Sequence, residues 1–324
     1  MAMNPVVSAV VLTRNSSRSI VKCLDSIINS EYKVREIIVV DGGSTDGTLD
    51  LIESYKPAQD IKVVSDQQKG LGFARDIGWR SSTGAYIIYI DSDVVIDREL
   101  IGDSLVIMER DRTLGGISGK LDPKCDEQGL ISLWMEKNVA ISYHKSVDAY
   151  PSLEKESLHT GATTFRRSAL EEVGGFDHEM ALALEDWTIS YRLRRQGYRL
   201  AYIDILCSHL ETSRRFSRIN IRYGKARTIC QRKGYPIVLF PLRLKLTLLC
   251  ILVPPLAFML ILHYYEIHRR INKRLSALNR LFLGAIEVWR LLLRISGIVF
   301  EILFGRHIEK SIKPTDDILE SLSK

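Results

Sequence analysis

The stretch Tyr86-Ile-Ile-Tyr-Ile90, followed directly by Asp91-Ser92-Asp93, is the clearest indication of the fold class in this sequence. Five apolar or aromatic residues in succession predict a strand buried on both faces, as in a parallel sheet. The carboxylates then lie at the carboxyl end of that strand, where open α/β sheets bind ligands. Two carboxylates this close repel each other, and Mg²⁺ or Mn²⁺, which prefers oxygen ligands, would remove the repulsion. The stretch therefore predicts a metal site, the alternative being a solvated pair in a loop.

The sequence before this strand alternates between strand and helix patterns. Strands are predicted at Val6–Thr13, Glu36–Val40 and Ile61–Ser65, and helices at Ser19–Ser30, Leu49–Tyr55 and Gly72–Ser81. Such alternation is typical of a mostly parallel sheet with right-handed crossovers and helices on its faces. We therefore expect an α/β fold whose strand ends form one ligand-binding edge.

Polar clusters also follow the first two strands. Thr13-Arg14-Asn15 comes after the first, and Asp41-Gly42-Gly43-Ser44-Thr45-Asp46 comes after the second. Glycines allow close backbone approach, and an acidic group at a strand end can accept from a base or a ribose hydroxyl. Ser44 and Asp46 can instead serve turn and helix-cap chemistry, and both roles can hold at once.

The next hundred residues have a mixed pattern. Strands are predicted at Gly161–Arg166 and Leu200–Leu206, and helices at Arg167–Val173 and Glu185–Gln196. We interpret this region as the second half of the same domain, which would span residues 1–212.

Charge is distributed unevenly along the 324 residues. Residues 1–212 hold 24 basic and 32 acidic groups, whereas residues 213–311 hold 19 basic and 4 acidic groups. Because long apolar runs interrupt the basic segment, an anionic membrane surface is favoured over nucleic acid as its partner. Five scattered cysteines predict free thiols in a reducing compartment, and the N-terminal residues lack the pattern of a signal peptide.

The C-terminal third has three segments. Residues 213–245 are predicted to form basic amphipathic helices beside a membrane, since Arg215, Arg218 and Arg222 recur at helical spacing. The run Leu246–Tyr265 is long enough to span a bilayer, but Pro254-Pro255 should break or kink a helix. Basic flanks on both sides would keep both ends on the cytoplasmic side, together with the first domain.

A re-entrant or interfacial arrangement of residues 246–311 fits these features better than two transmembrane helices. In the stretch Leu281–Phe304 the charged residues form one helical stripe, consisting of Glu287, Arg290, Arg294 and Glu301. Such a helix can lie in the interface plane, or it can pack on the first domain. Residues 312–324 are a polar tail.

Several strings resemble inverting family 2 glycosyltransferases with the GT-A fold. They are VSAVVLTRN (7–15), IIVVDGGSTDGT (37–48), KGLGFARDIGWRSSTGAYIIYIDSDV (69–94), GATTFRRSALEEVGGFD (161–177) and ALEDWTISYRLRRQGYRL (183–200). The resemblance covers roughly residues 5–225. It implies a nucleoside-diphosphate sugar as donor, UDP- more than GDP-, and a divalent metal, Mg²⁺ or Mn²⁺, at Asp91 and Asp93.

The resemblance also implies roles for individual residues. The nucleotide would contact the strand-end residues Thr13, Arg14, Asn15, Asp41, Gly42, Ser44, Asp46, Asp91 and Ser92, and Lys69, Gly70 and Arg75 would close over base and ribose. His209 is a further candidate metal ligand, with a structural histidine as the alternative. Gly161, Ala162 and Trp187 would line the acceptor side. Arg215, Arg218 and Arg222 are assigned to that side on their positive charge, which suits an acceptor phosphate.

Asp186, paired with Glu185, would be the general base that deprotonates the acceptor during a single, inverting displacement. Charge stabilisation of a helix N-terminus is the alternative for this pair. The Gln-x-x-Arg-Trp signature of processive synthases does not occur. The basic, membrane-seeking segment suits a polyprenyl phosphate or a lipid-linked saccharide as acceptor. A sugar-phosphate nucleotidyltransferase and a non-catalytic nucleotide-sugar-binding protein are the competing functions.

Overall fold

The computed structural model describes residues 5–55, 60–125, 129–134, 157–211, 216–237, 254–271 and 275–309. The strands are β1 (Val7–Thr13), β2 (Glu36–Asp41), β3 (Asp60–Ser65), β4 (Tyr86–Asp91), β5 (Val94–Val95), β6 (Leu114–Cys125), β7 (Ala162–Arg166) and β8 (Arg199–Glu211). The helices are α1 (Ile20–Ile28), α2 (Thr48–Ser54), α3 (Leu71–Arg80), α4 (Leu100–Arg110), α5 (Arg167–Glu172), α6 (Glu185–Arg195), α7 (Phe216–Arg232), α8 (Pro254–Ile271) and α9 (Ala277–Glu309).

One sheet carries the domain, in the order β3-β2-β1-β4-β7-β6-β8-β5. Its first four strands are parallel, as the alternating pattern predicts. β7 runs antiparallel to both β4 and β6, and β5 is antiparallel to β8, so the sheet is mixed beyond β4. The α/β class with helices flanking a sheet is confirmed. Parallel pairing is continuous in the first half of the sheet, and in the second half only β6 and β8 pair in parallel.

Two apolar layers cover the faces of the sheet. All seven residues of β1 are buried, and alternate ones belong to opposite layers. Val11 packs in the layer that includes Leu24 of α1, whereas Val10 packs in the layer that includes Trp79 of α3. This is why apolar residues occupy consecutive positions from Ala9 to Leu12 rather than alternate ones.

Two boundaries differ from the sequence prediction in a way that affects the site. β8 extends from Arg199 to Glu211, longer than the predicted Leu200–Leu206, because it pairs with β6 along most of its length and with β5 near its end. His209 therefore lies within a strand and not after one. The periodic pattern also missed α4 and the long strand β6.

The C-terminal helices pack against one another. α9 contacts both α7 and α8 along its length. The described part of α8 spans Pro254–Ile271. Residues 238–253 lie outside the described residues, so the re-entrant arrangement of residues 246–311 stays a prediction. Among the residues that the structure describes, no helix has the length and apolar character needed to traverse a bilayer.

Candidate active site

Asp93 and His209 meet at the carboxyl end of the parallel strands. The Oδ1 atom of Asp93 lies 3.5 Å from the Nε2 atom of His209, and both side chains are partly exposed. Their backbones hold this position, since Leu210 donates its N–H to the Asp93 carbonyl and Val94 pairs with His209 across the β5–β8 ladder. The antiparallel β5–β8 pairing therefore brings together two residues that are far apart in sequence.

Asp93 and His209 could bind a divalent metal ion in the way that is common for Mg²⁺, with only a few ligands from the protein. In the described ranges no group of three His, Cys, Asp or Glu side chains is arranged to hold a metal ion. One or two protein ligands are nevertheless the usual number where substrate phosphates and water complete the coordination shell of such an ion. A carboxylate and a neutral imidazole are suitable donors for Mn²⁺. Asp93 and His209 are thus the residues that would hold the ion.

Asp91 is held by an arginine. Its Oδ1 atom lies 2.6 Å from Nη2 of Arg75, whose side chain is only 3% exposed. The same guanidinium places Nε 3.7 Å from Oε1 of Glu185, and Nη1 donates to the Thr160 carbonyl. Arg75 therefore lies beneath the site and links the two acidic motifs. We predicted that Arg75 closes over base and ribose. In the structure its guanidinium is buried against Asp91 and Glu185 instead, because a buried cation needs acidic partners beside it.

Glu185 and Asp186 open α6 directly after Leu184, which adopts a left-handed conformation at φ 68°. Burial raises the pKa of the Glu185 carboxyl, and the negative charge of Asp186 raises it further. Burial likewise raises the pKa of Asp186, which the Trp187 N–H and the Arg75 charge only partly offset. Two adjacent carboxyls with raised pKa values have the property that a general base at neutral pH requires.

The loops after β1 and β2 are joined by side-chain hydrogen bonds. Asn15, at φ 53°, accepts the N–H of Thr45 with its side-chain oxygen and donates its own N–H to Ser44. Asp41 accepts hydrogen bonds from the N–H groups of Gly43 and Ser44. Asp41 thus acts as a turn residue that shapes this loop. Together with Asn15 it belongs to the loops at the strand ends, which we call the floor of the site.

Asp46 has the capping role that was its alternative. Its carboxylate accepts the N–H of Thr48, the first residue of α2, and the N–H of Ser17. Its slight burial acts to raise its pKa, but the hydrogen bonds from Thr48 and Ser17 outweigh this and lower the pKa to about 2. These contacts account for Asp46 without a nucleotide.

The other predicted donor-side residues differ in how they could reach a ligand. Thr13 is 4% exposed, and its hydroxyl has no hydrogen-bond partner among the described residues, so it is a candidate for contacting a bound group. Arg14 packs over Gly42, and Ser92 is buried against the hydroxyl of Ser16. Lys69 lies over the Phe73 ring at 4.7 Å.

Gly70 is committed to a packing contact. At φ 97°, a Cβ atom on it would lie 2.5 Å from the Ala181 carbonyl oxygen. The next residue, Leu71, donates its N–H to that same carbonyl. Gly70 therefore lets α3 approach the segment that leads into Glu185, which differs from the predicted closure over the ribose.

Sequence reasoning missed Asp66. It follows β3 directly, is 5% exposed, and receives the N–H of Gln68 while donating its own N–H to the Asp41 carbonyl. Burial raises its pKa. The sequence did carry a signal for Asp66, because it directly follows β3. Asp41 and Asp91 stand at the ends of β2 and β4 in the same way.

The acceptor-side residues are placed less uniformly. A Cβ atom on Gly161 would lie 3.2 Å from Oδ2 of Asp91, so Gly161 borders the site, whereas Ala162 is 1% exposed within the core and has no side-chain face toward an acceptor. Trp187 stacks on Tyr191 with ring centroids 5.6 Å apart. Arg222 donates to the Leu182 carbonyl.

Two other predicted cations lie further along. Arg218 is exposed on α7, and Arg215 falls outside the described residues.

The fold and the strand-end acidic site define a GT-A-like α/β domain. Residues 8–174 match the family model for glycosyl transferase family 2, about half of the chain, and the chain belongs to that family. A poly-beta-1,6-N-acetyl-D-glucosamine synthase of Staphylococcus epidermidis is 26% identical over 205 residues. That match covers 60% of this chain and 47% of the relative, so the chain spans about half the length of the curated relatives it matches.

Solved structures share the fold. The mannosyltransferase PcManGT from Pyrobaculum calidifontis, in complex with GDP-Man and Mn²⁺, has a TM-score of 0.56 at 20% identity. The similarity covers 93% of this chain and 76% of that one. GalNAc-T7, with UDP, GalNAc and Mn²⁺, has a TM-score of 0.51 at 16% identity and covers 65% of this chain and 45% of that chain.

Proposed function

We propose that this protein transfers a sugar from a nucleoside-diphosphate sugar to a membrane-bound acceptor, with inversion, and that a divalent metal is required. The observation that carries the proposal is the convergence of two acidic centres on one buried cation. Asp91, beside the candidate metal residue Asp93, and Glu185, beside the candidate base Asp186, both lie against Arg75. Donor activation and acceptor deprotonation need two such centres within one crevice.

Asp186 is the proposed general base. The residue is partly exposed, and its raised pKa makes it a stronger proton acceptor than an ordinary aspartate. Its Oδ1 atom accepts the Trp187 N–H at 2.7 Å, which holds the side chain in one orientation. As the acceptor hydroxyl attacks the anomeric carbon from the face opposite the leaving group, its proton passes to Asp186 and the bond to the diphosphate breaks. One displacement inverts the anomeric centre.

Asp93 and His209 are the proposed metal ligands. A bound Mg²⁺ or Mn²⁺ would supply positive charge to a leaving diphosphate. Asp91 stays with Arg75 and would border the sugar or ribose. The Mn²⁺ named with the nucleotide or nucleotide sugar in two structures of the same fold supports this proposal.

The donor nucleotide would lie over the floor formed by the loops after β1, β2 and β3. Asp41 and Asp66 supply acceptors there, and the Thr13 hydroxyl lacks a partner among the described residues. UDP is the proposed nucleotide, with GDP second, since both occur in solved relatives of this fold.

A lipid-linked acceptor is proposed from the charge of residues 213–311, with 19 basic against 4 acidic groups. The two candidate acceptors differ in their need for a base. A saccharide hydroxyl must lose a proton to attack, whereas a polyprenyl phosphate already carries an anionic oxygen at neutral pH. The basic residues on both sides of Leu246–Tyr265 support a further part of the proposal, that the protein lies at a membrane with its catalytic domain on the cytoplasmic side.

Release of nucleoside diphosphate tests the proposal. The purified protein is incubated with UDP- and GDP-sugars and with either a polyprenyl phosphate or a lipid-linked saccharide, in Mn²⁺ or EDTA. We expect release and glycolipid formation only with metal, and a loss of about 10²–10⁴-fold for Asp186→Asn with a hydroxyl acceptor. Asp204→Asn, an exposed carboxylate on β8, is the control and should leave the rate unchanged.

Undiminished transfer by Asp186→Asn to a hydroxyl acceptor would contradict the base assignment. Full activity in EDTA would contradict the metal. Pyrophosphate release would favour the nucleotidyltransferase alternative, and binding of the nucleotide sugar without any release would favour a non-catalytic binding protein.

A further inference from the structure

Helix α9 turns its charged stripe inward. Glu287 and Glu301 are 4% and 8% exposed, and they pair with Arg290 and with Arg232 of α7. Arg294 donates to Asn220 of α7. The sequence allowed this stripe to face solvent at a membrane interface or to pack on the domain. The structure shows that it packs against α7.

The opposite side of α9 exposes large apolar side chains. Leu278, Phe282, Trp289, Phe300 and Leu303 are between 39% and 62% exposed, and we call these five residues the outer row. At 100° per residue they fall within about 60° of the helix circumference, and they extend along about 38 Å of its axis. α9 also buries an apolar face that includes Leu291, Ile295 and Ile298, so the outer row is a second apolar face, on a side where soluble helices normally carry polar residues.

Close backbone contacts fix this orientation. A Cβ atom on Gly224 of α7 would lie 2.1 Å from the Arg294 carbonyl oxygen, and one on Gly297 would lie 2.1 Å from the Ile221 carbonyl oxygen. The two helices therefore touch backbone to backbone at these glycines. Rotating α9 to bury the outer row would replace Gly297 at the contact by a residue with a side chain, which the available space excludes.

The outer row belongs to a concentration of exposed large hydrophobic residues on α8 and α9 in the described residues. Of sixteen exposed large hydrophobic residues in those ranges, ten lie on α8 and α9, including Phe258, Met259 and Leu262 of α8. Aromatic side chains of this kind bury about 150–250 Å² each when covered, so half-exposed ones sum to several hundred Å². Exposed patches of that size mark interaction sites.

Charge identifies the partner. Residues 213–311 carry an excess of basic groups, and three of their four acidic residues, Glu266, Glu287 and Glu301, already pair with arginines of the same region. Arg269 and Arg270 are exposed at the end of α8, and Lys225 lies 3.7 Å from the centre of the Phe300 ring, at the edge of the outer row. Apolar and aromatic residues bordered by cations are the features that bind a helix to an anionic lipid surface.

We propose that the outer row docks α9 on the surface of an anionic membrane, parallel to the membrane plane, with its charged stripe held against α7. This docking deepens the proposed function, on which its biological meaning rests. α9 packs on α7, and α7 contacts the segment before Glu185 through Arg222. The docked face of α9 is therefore connected to the segment before Glu185 through α7 alone.

Co-sedimentation with vesicles tests the docking. The full chain and the variant Phe282→Ser/Trp289→Ser/Leu303→Ser are mixed with vesicles of phosphatidylcholine alone or with phosphatidylglycerol. We expect the wild type to bind the anionic vesicles in a salt-sensitive manner, and the variant to bind at least about tenfold more weakly. The matched control Val63→Ser/Val106→Ser/Leu206→Ser removes equally exposed apolar residues from the first domain and should bind as the wild type does.

A second measurement is independent of large substitutions. Brominated lipids should quench part of the tryptophan fluorescence, and Trp289→Phe should remove that part while vesicle binding persists. Circular dichroism and thermal unfolding establish that each variant is folded.

Three outcomes would overturn the docking. They are vesicle binding unaffected by the outer-row variant, no binding of the wild type to anionic vesicles, and loss of a dimer in the outer-row variant without loss of vesicle binding, which would make a second copy of the chain the occupant. Donor-derived nucleoside diphosphate release is measured in parallel without vesicles. Failure of that release in every variant, with vesicle binding as expected, would refute the proposed reaction and leave the docking intact.

Discussion

The guanidinium of Arg75 donates to the carboxylate of Asp91 at 2.6 Å, and the arginine side chain is almost completely buried. A buried arginine at the base of a metal-type motif is costly to desolvate unless acidic partners surround it. Glu185 is the second such partner. Arg75 therefore links the donor half of the domain, through Asp91, to the acceptor half, through Glu185.

We expect Arg75→Gln to lower the free energy of unfolding by about 3–5 kcal/mol, because it leaves buried acidic groups without their cation. Urea unfolding at neutral pH measures this. The control is Arg98→Gln, which removes an exposed arginine paired with Glu31 and should cost less than about 1 kcal/mol. Equal effects of the two substitutions would mean that burial of the Arg75 pair has no energetic weight.

Asp93→Asn and His209→Gln should each weaken Mn²⁺ binding about tenfold or more in the presence of UDP, since each removes one of two candidate protein ligands. Isothermal titration with Mn²⁺ at fixed UDP gives the affinity. Asp204→Asn lies in the same strand as His209, is 87% exposed, and should have no effect. Wild-type affinity in both site variants would move the metal away from this pair.

The raised pKa of Asp186 predicts a pH-dependent stability difference between the wild type and Asp186→Asn. An aspartate is half-ionised near pH 3.9 in the unfolded chain, whereas burial raises this value in the fold. The folded state therefore holds its proton longer, and wild-type stability falls as pH rises from about 4 through the raised folded pKa. The asparagine keeps an oxygen for the Trp187 N–H but never ionises.

We thus expect Asp186→Asn to match the wild type near pH 4 and to be the more stable protein at pH 8, as measured by urea unfolding at several pH values. A difference that does not change with pH would refute the raised pKa. The rate of sugar transfer should change in the opposite direction, rising with pH as Asp186 ionises.

Gly72→Ala should disrupt the contact between α3 and the segment before the candidate base. The added Cβ atom would lie 2.0 Å from the Asp177 carbonyl oxygen, so backbone must move, at a cost of about 1–3 kcal/mol. Gly102→Ala is the matched control, a glycine within α4 whose added Cβ would meet nothing closer than 3.8 Å. There we expect a gain of about 0.5–1 kcal/mol from helix propensity. Thermal unfolding of both variants compares them, and a neutral Gly72→Ala would contradict the tight packing.

The class of the domain follows from the pattern of residues along the chain. Strands with runs of consecutive apolar residues require cover on both faces, and β1 and β4 have it. Asp91 directly after such a strand could lie only at the strand's carboxyl end. These features depend on local pattern, so they can be derived without tertiary information.

Which side chains of the site face each other is seen only in the tertiary structure. His209 meets Asp93 because β5 pairs with β8, and Arg75 reaches Glu185 because α3 approaches the segment before α6 at Gly70 and Gly72. Neither pairing has a local signal, since strand pairing and helix approach depend on residues that are distant in sequence. The same holds for α9, where periodicity located the charged stripe but the contacts at Gly224 and Gly297 determined that it faces inward. A helical pattern defines two faces, and which one is buried depends on the neighbour that packs against it.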